Sequence, residues 1–261
     1  MIKIAIMNQK GGTAKTTSVI NISGELVRQG KKVLIIDMDT QGNATSNIKI
    51  INNSNKNMAD AIIDSNISIN DIICNTAIDG LDIIKGGTLL ANAFVALQKM
   101  MMGRETVLKR LLNKLSSDIY DFILFDCSPS LESILNINVL VATDYVLIPI
   151  RVDKNSIEGY GTMLETIKEA REMVNPNLKA LGVFMTAVET GSSLDKEMIT
   201  EFPNMLPDLA FKTYIRKNIE VRKAPLTLQP LCFYNSKCAG SQDYFNLTNE
   251  ILERIKAEGK Q

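Results

Sequence analysis

Residues 10–17 read Lys-Gly-Gly-Thr-Ala-Lys-Thr-Thr and stand between an apolar run and a helical pattern that spans about Thr16 to Arg28. That spacing suits phosphate chemistry. Gly11 and Gly12 let backbone N–H groups curl around an anion, and the following helix aims its positive end at the same point. Lys15 then reaches the terminal phosphates as a point charge, and the Thr16 hydroxyl is placed to ligate magnesium. Thr13, Ala14 and Thr17 complete the cradle. The general pattern G-x-x-x-x-G-K-[ST] is met imperfectly, with Gln9 and Ala14 at its glycine positions and a second lysine, Lys10, ahead of Lys15. If position 14 needs a positive φ, its alanine costs roughly 1 kcal/mol.

Two acidic strand ends add to this. The run Val33-Leu34-Ile35-Ile36 ends in Asp37-Met38-Asp39, two carboxylates of like parity ahead of a glycine-containing turn. Alternation turns Asp37 and Asp39 to one side as long as the chain stays extended. Asp37 reads as support for a magnesium shell or for the loop. Phe122-Ile123-Leu124-Phe125-Asp126 also ends in an acid, where a phosphate-loop ATPase holds a magnesium-bound water. Phosphoryl transfer needs positioning and charge neutralisation more than covalent help.

Holding these groups together requires a sheet. Apolar, β-rich runs at Lys3–Met7, Lys32–Ile36, Leu81–Ile84, Phe122–Asp126, Tyr145–Ile150 and Leu181–Ala187 alternate with helical patterns. Several are near-continuous in Val, Ile and Leu, as strands covered on both faces require. The expected fold is α/β: a doubly wound, mostly parallel twisted sheet flanked by helices, with the chemistry at its carboxyl edge. Asn52–Asn57 reads as a polar surface loop. No linker or internal repeat divides the chain, so residues 1–261 are expected to form one domain.

Composition narrows the chemistry. With 261 residues, 45% of them hydrophobic, the chain can bury a full-sized core. Formal net charge is zero, so any nucleic-acid contact must come from a local patch. Histidine is absent, which excludes imidazole as base, shuttle or metal ligand. Cys74, Cys127, Cys232 and Cys238 lack zinc-type spacing and read as free or buried thiols of a cytoplasmic protein. The N-terminus opens into a strand with no signal-peptide pattern, and no run of about 18 apolar residues occurs. No membrane partner is expected.

On these residues the chain resembles the ParA/MinD family of ATPases, whose phosphate loop reads K-G-G-x-G-K-[ST]. Asp37-Met38-Asp39-Thr40-Gln41-Gly42-Asn43-Ala44-Thr45 is similar to that family's first switch nearly letter for letter. Asp126-Cys127-Ser128-Pro129-Ser130 is similar to its D-x-P-P-S, with Ser128 in place of the first proline; the change leaves one more N–H and a freer φ. Gly80–Ile84, Gly103–Glu105, Val146–Pro149, Ile157–Gly159, Tyr214–Pro225 and Tyr234–Gly240 also look like family landmarks. The similarity spans nearly the whole chain and points to the Soj-like branch of partition ATPases.

The resemblance implies a phosphate-loop ATPase that takes ATP/ADP and Mg²⁺ and turns over slowly, with Asp39 orienting the attacking water. It implies that Lys10 reaches across a nucleotide-sandwich homodimer to the partner's phosphates, giving a dimer with ATP and a monomer with ADP. It also implies sequence-independent binding of double-stranded DNA by basic residues on the dimer surface. Lys212, Arg216, Lys217, Arg222 and Lys223 are opposed within their segment by Glu220 alone. Arg222 and Lys223 lead this reading, followed by Lys217 and Lys237. A ParB-like centromere-binding partner would stimulate hydrolysis. Only nine residues precede Lys10, so no helix-turn-helix domain is expected there. The neighbourhood of Thr186 and Ile215–Asn218 is the expected adenine pocket.

Three other readings share parts of this pattern. A MinD-like membrane-cycling ATPase would need a lipid-seeking C-terminal helix, whereas Ile251–Gln261 reads as a docking helix with a polar end. An iron–sulfur carrier would need cluster cysteines that the spacing does not provide. A non-hydrolysing nucleotide-dependent scaffold is favoured only by Ala14.

Overall fold

The computed structural model describes residues 1–52, 54–116, 118–130, 133–152 and 156–259. In chain order the strands are β1 Ile2–Ile6, β2 Val33–Met38, β3 Ile50–Asn52, β4 Ile73–Thr76, β5 Leu81–Ile84, β6 Phe122–Cys127, β7 Tyr145–Arg151 and β8 Lys179–Thr186. The helices are α1 Lys15–Arg28, α2 Asn43–Ser46, α3 Met58–Ile63, α4 Leu90–Lys99, α5 Val107–Leu112 and α6 Ile134–Ala142. They continue as α7 Ser156–Met173, α8 Ser193–Met205, α9 Ile219–Thr227, α10 Leu231–Tyr234 and α11 Ala239–Glu258.

One sheet runs in the order β3-β4-β5-β2-β6-β1-β7-β8. From β5 through β8 neighbouring strands are parallel, and β4 pairs antiparallel with both β3 and β5. Period-two alternation sends the central strands' side chains into two cores. Leu34, Ile36, Ile123 and Phe125 enter one, capped by residues of α3 to α8 such as Met58, Leu97, Val139, Met163 and Phe202. Val33, Ile35, Phe122 and Leu124 enter the other, capped by α1 and α11 through Val19, Ile22, Leu26, Tyr244, Leu247 and Ile251. Both faces are covered, which is why these strands read as continuous apolar runs.

The expected strands are all present, Leu81–Ile84 with the same bounds and the others with at least one end displaced by one or two residues, for example Lys179–Thr186 against Leu181–Ala187. β3 and β4 escaped the sequence reading. They are short, and Ile50-Ile51-Asn52 carries no alternation. The Asn52–Asn57 stretch is not all loop: Asn52 closes β3, Asn53 lies outside the described residues, and Asn57 caps α3. Its Oδ1 accepts from Ala59 N at 2.8 Å, and Asp60 reciprocates by accepting from Asn57 N, a capping box. Of the landmark Ile157–Gly159 only the helical backbone is described.

Candidate nucleotide site

Sheet register alone gathers the acids. Asp126 pairs in register with Asp37 on β2 and with Ile6 on β1, so both acids lie beside the strand end from which the glycine loop departs. From the central strands, β1 connects to β2 on one side of the sheet and β6 to β7 on the other. In such sheets ligands bind in the crevice at the carboxyl ends.

The loop is fixed by residues distant in sequence. Asn8 Nδ2 donates to Pro149 O at 2.7 Å, and Asn8 Oδ1 accepts from Lys10 N at 2.9 Å. The Thr186 hydroxyl sits between Thr13 O at 3.2 Å and Ile150 O at 3.0 Å. Lys15 Nζ curls back to Lys10 O at 3.1 Å. α1 begins at Lys15, one residue earlier than expected, and Ala14 before it has φ 67° and ψ 31°. Position 14 therefore does require the left-handed region. No side chain caps α1 and no acid occupies its first turn, leaving its N–H groups directed at the crevice.

Asp37 and Asp39 do different work. β2 ends at Met38, so Asp39 lies one residue beyond the strand, just ahead of the turn at Thr40. Asp37 binds the loop: Oδ2 accepts from Thr45 N at 2.8 Å and Thr45 Oγ1 at 2.7 Å, and Oδ1 accepts from Asp39 N at 3.1 Å. Gly86 N donates to Thr45 Oγ1 at 3.1 Å, and Gly87 N to Asp39 O at 3.0 Å. A Cβ on Gly86 would lie 2.4 Å from Asp37 O, so only glycine fits there. Asp39 Oδ1 accepts from Gln41 N at 3.0 Å; Oδ2 receives no hydrogen bond among the described residues.

Asp126 is the outlier. It is fully buried, and among the described residues neither carboxylate oxygen has a partner at hydrogen-bonding distance and angle. Burial pushes its pKa well up, Asp37 adds to that, and the Thr16 hydroxyl and the Lys15 ammonium oppose it. Burial lowers the Lys15 pKa, and Asp126 is the main group pulling it back. Buried carboxylates normally have partners; one without them, beside a lysine and a threonine hydroxyl, fits a cation. Among the described residues no three Asp, Glu or Cys side chains gather into a complete metal cage. Magnesium needs none, because it keeps its waters and takes one or two protein oxygens plus phosphate.

Beside the loop lies a cavity of about 470 Å³, lined by Gly12, Ala14, Thr17, Thr186, Ile215, Asn218 and Tyr244 among others. Lys10, Gly11, Thr13, Lys15 and Thr16 belong to the same loop and helix start. The expected adenine neighbourhood thus borders the glycine loop. Lys217 and Arg222, read from sequence as DNA contacts, line this cavity too. Lys217 pairs with Glu189 at 2.6 Å and Lys223 with Glu220 at 2.9 Å, while Lys237 is exposed. Arg216 is spent on structure, bound to Asp243 at 2.6 Å.

The chain has relatives among known proteins. The AAA_31 family model, described as an AAA domain, matches residues 1–180. The sporulation initiation inhibitor protein Soj of Bacillus subtilis is 35% identical over 248 residues, covering 95% of this chain and 97% of that one. The chromosome-partitioning ATPase Soj of Treponema pallidum is 34% identical, covering 96% and 97%.

The chain belongs to the Soj/ParA family of ATPases.

Among solved structures, a Mycobacterium smegmatis cobyrinic acid a,c-diamide synthase with bound ATP analogue and magnesium superposes with a TM-score of 0.83. It is 26% identical, covering 99% of this chain and 97% of that one. Within this Soj/ParA chain, sequence reading missed Asn8, Gly86, Gly87 and Asn136 as site supports. Two of them had a signal: Lys85-Gly86-Gly87-Thr88 repeats the letters of Lys10-Gly11-Gly12-Thr13.

Proposed function

We propose that this protein is a partition ATPase that binds ATP with magnesium, pairs with a second copy and holds non-specific duplex DNA until hydrolysis releases it. The observation that carries this reading is the partnerless, buried carboxylate of Asp126 beneath a glycine loop with two lysines. Backbone N–H groups from Gly11 to Thr17 would wrap the phosphates, and Lys15 would leave Lys10 O for them. Thr16 and Asp126 would hold magnesium directly or through water, with Asp37 securing the first acidic loop. Magnesium bound there neutralises phosphate charge. Asp39, with Oδ2 unused, would orient the attacking water, and Lys10 would reach the phosphates of the second copy. A ParB-like centromere-binding protein would accelerate turnover.

For DNA the surface around α9 is the candidate, with Arg222 and Lys223 first, then Lys217 and Lys237. Their exposed ion pairs are no obstacle, since such pairs are worth about 0–1 kcal/mol and phosphate can replace the carboxylate. No helix among the described residues is long and apolar enough to cross a membrane. The test is duplex binding with ADP, with ATP and without nucleotide across a salt series, beside Lys10→Ala and Arg222→Ala/Lys223→Ala. Binding that requires ATP, falls steeply with salt and disappears in both variants supports the reading. Binding that ignores nucleotide, or none at all, overturns it.

A further inference from the structure

One amide holds the loop after Asp126 from behind. Asn136, near the start of α6, is wholly buried. Its Nδ2 donates to Ser130 O at 2.7 Å and to Ser128 O at 2.9 Å, with Ser128 Oγ close by at 3.3 Å. Two backbone carbonyls converge on this atom, so only the NH₂ end of the amide can occupy the position. Asn136 Oδ1 has no partner among the described residues. A buried amide satisfied at one end only is a poor choice for a helix that merely packs.

Asn138 supplies the contrast. Its Nδ2 donates to Arg104 O at 2.8 Å and Ile134 O at 2.9 Å, and its Oδ1 accepts from Leu108 N at 3.0 Å. Every polar group of Asn138 is used, and they tie α6 to α5 and the segment before it, away from the acidic loops.

The loop that Asn136 grips forms one wall of a second cavity. Ser128, Pro129 and Ser130 face Asp39, Thr40 and Gln41 across a space of about 380 Å³. Ser128 has no ring to fix its φ, as a proline at that position would. The Asn136 amide supplies from outside the restraint that a ring supplies covalently.

We propose that Asn136 is a positioning residue for hydrolysis, clamping Ser128–Ser130 opposite Asp39; this rests on the ATPase reading above. Without the clamp the wall of the reaction space wanders, while the glycine loop that binds the phosphates is untouched. Asn136→Ala removes the donor, and Asn136→Asp removes it at constant size. Both are expected to lower kcat at least tenfold, with KM and the ATP dissociation constant within twofold of the parent. Asn138→Ala is expected to lower the melting temperature yet leave kcat within twofold. Adding Ser128→Pro to Asn136→Ala is expected to restore most of the lost kcat.

A kcat within twofold in both Asn136 variants overturns the proposal, as does a loss that follows melting temperature equally in Asn136→Ala and Asn138→Ala. Hydrogen exchange at the Ser128 and Ser130 amides separates the clamp from the enzyme reading. At least tenfold faster exchange in Asn136→Ala, unmatched in Asn138→Ala, supports the clamp even if the parent protein turns over no ATP. Equal exchange in the two variants sinks it.

Discussion

Asp126 and Ala14 each place a costly choice at the heart of the site. A buried carboxylate without partners destabilises the chain until a cation reaches it. Asp126→Asn is expected to stabilise the nucleotide-free protein by about 1–3 kcal/mol, read as a raised melting temperature. The same substitution should abolish the further rise that saturating ATP and magnesium give the parent, about 2.7 kcal/mol at a hundredfold excess over Kd. An Asp126→Asn protein that melts lower than the parent, or still responds to magnesium and ATP, would remove Asp126 from the metal site. Ala14 sits at φ 67°, where an L side chain meets its own backbone. Ala14→Gly should therefore gain about 1 kcal/mol and raise the melting temperature by about 2–4 °C; an unchanged midpoint would mean the loop relaxes around alanine at no cost.

α1 carries the glycine loop at one end and rests on α11 along its length. The seam holds a Ser18–Tyr244 hydroxyl pair at 3.2 Å, a Gln29–Asn249 bond at 3.1 Å and Arg28 over the Phe245 ring. Glu25 lies inside it, 1% exposed and 2.8 Å from Arg28. Burial raises its pKa, and Arg28 offsets this only in part. A raised acid binds its proton more tightly in the folded state, so its charge weakens the fold above that pKa and the penalty fades as pH falls towards the unfolded value of about 4.3. Glu25→Gln should melt higher than the parent at pH 8, with the gap closing towards pH 5; a gap independent of pH would show that Glu25 titrates normally. The seam also marks what sequence could convey. Asp37 and Asp126 were legible because each stands at the end of an apolar run, and Gly11 and Lys15 because they fall in the glycine-and-lysine loop that follows one. Asn8 and Asn136 were not, because each is an ordinary polar residue whose partner is set by tertiary packing. Asp39 was legible by type, and the strand stops one residue before it.

For the whole molecule, nucleotide charge would govern how many copies associate. Asp39→Ala is expected to keep ATP binding and the ATP-dependent dimer in sedimentation while phosphate release falls below a hundredth of the parent rate. Normal turnover in that variant would end the role given to Asp39. How two copies could meet is limited by the borders of the sheet. Along the outer side of β8, residues 209–217 run as a hem: Val183 N reaches Leu209 O and Phe211 N reaches Val183 O at 2.8 Å each, Ile215 N reaches Met185 O at 2.9 Å, and Lys217 N reaches Val188 O at 2.9 Å. The opposite border, β3, is three residues long and irregular in register. Neither border offers a long, flat template for another chain's strand. Copies of this protein brought together at high local concentration would therefore lack a ready route into a continuous fibre of sheets, because growth by strand addition is closed at both borders.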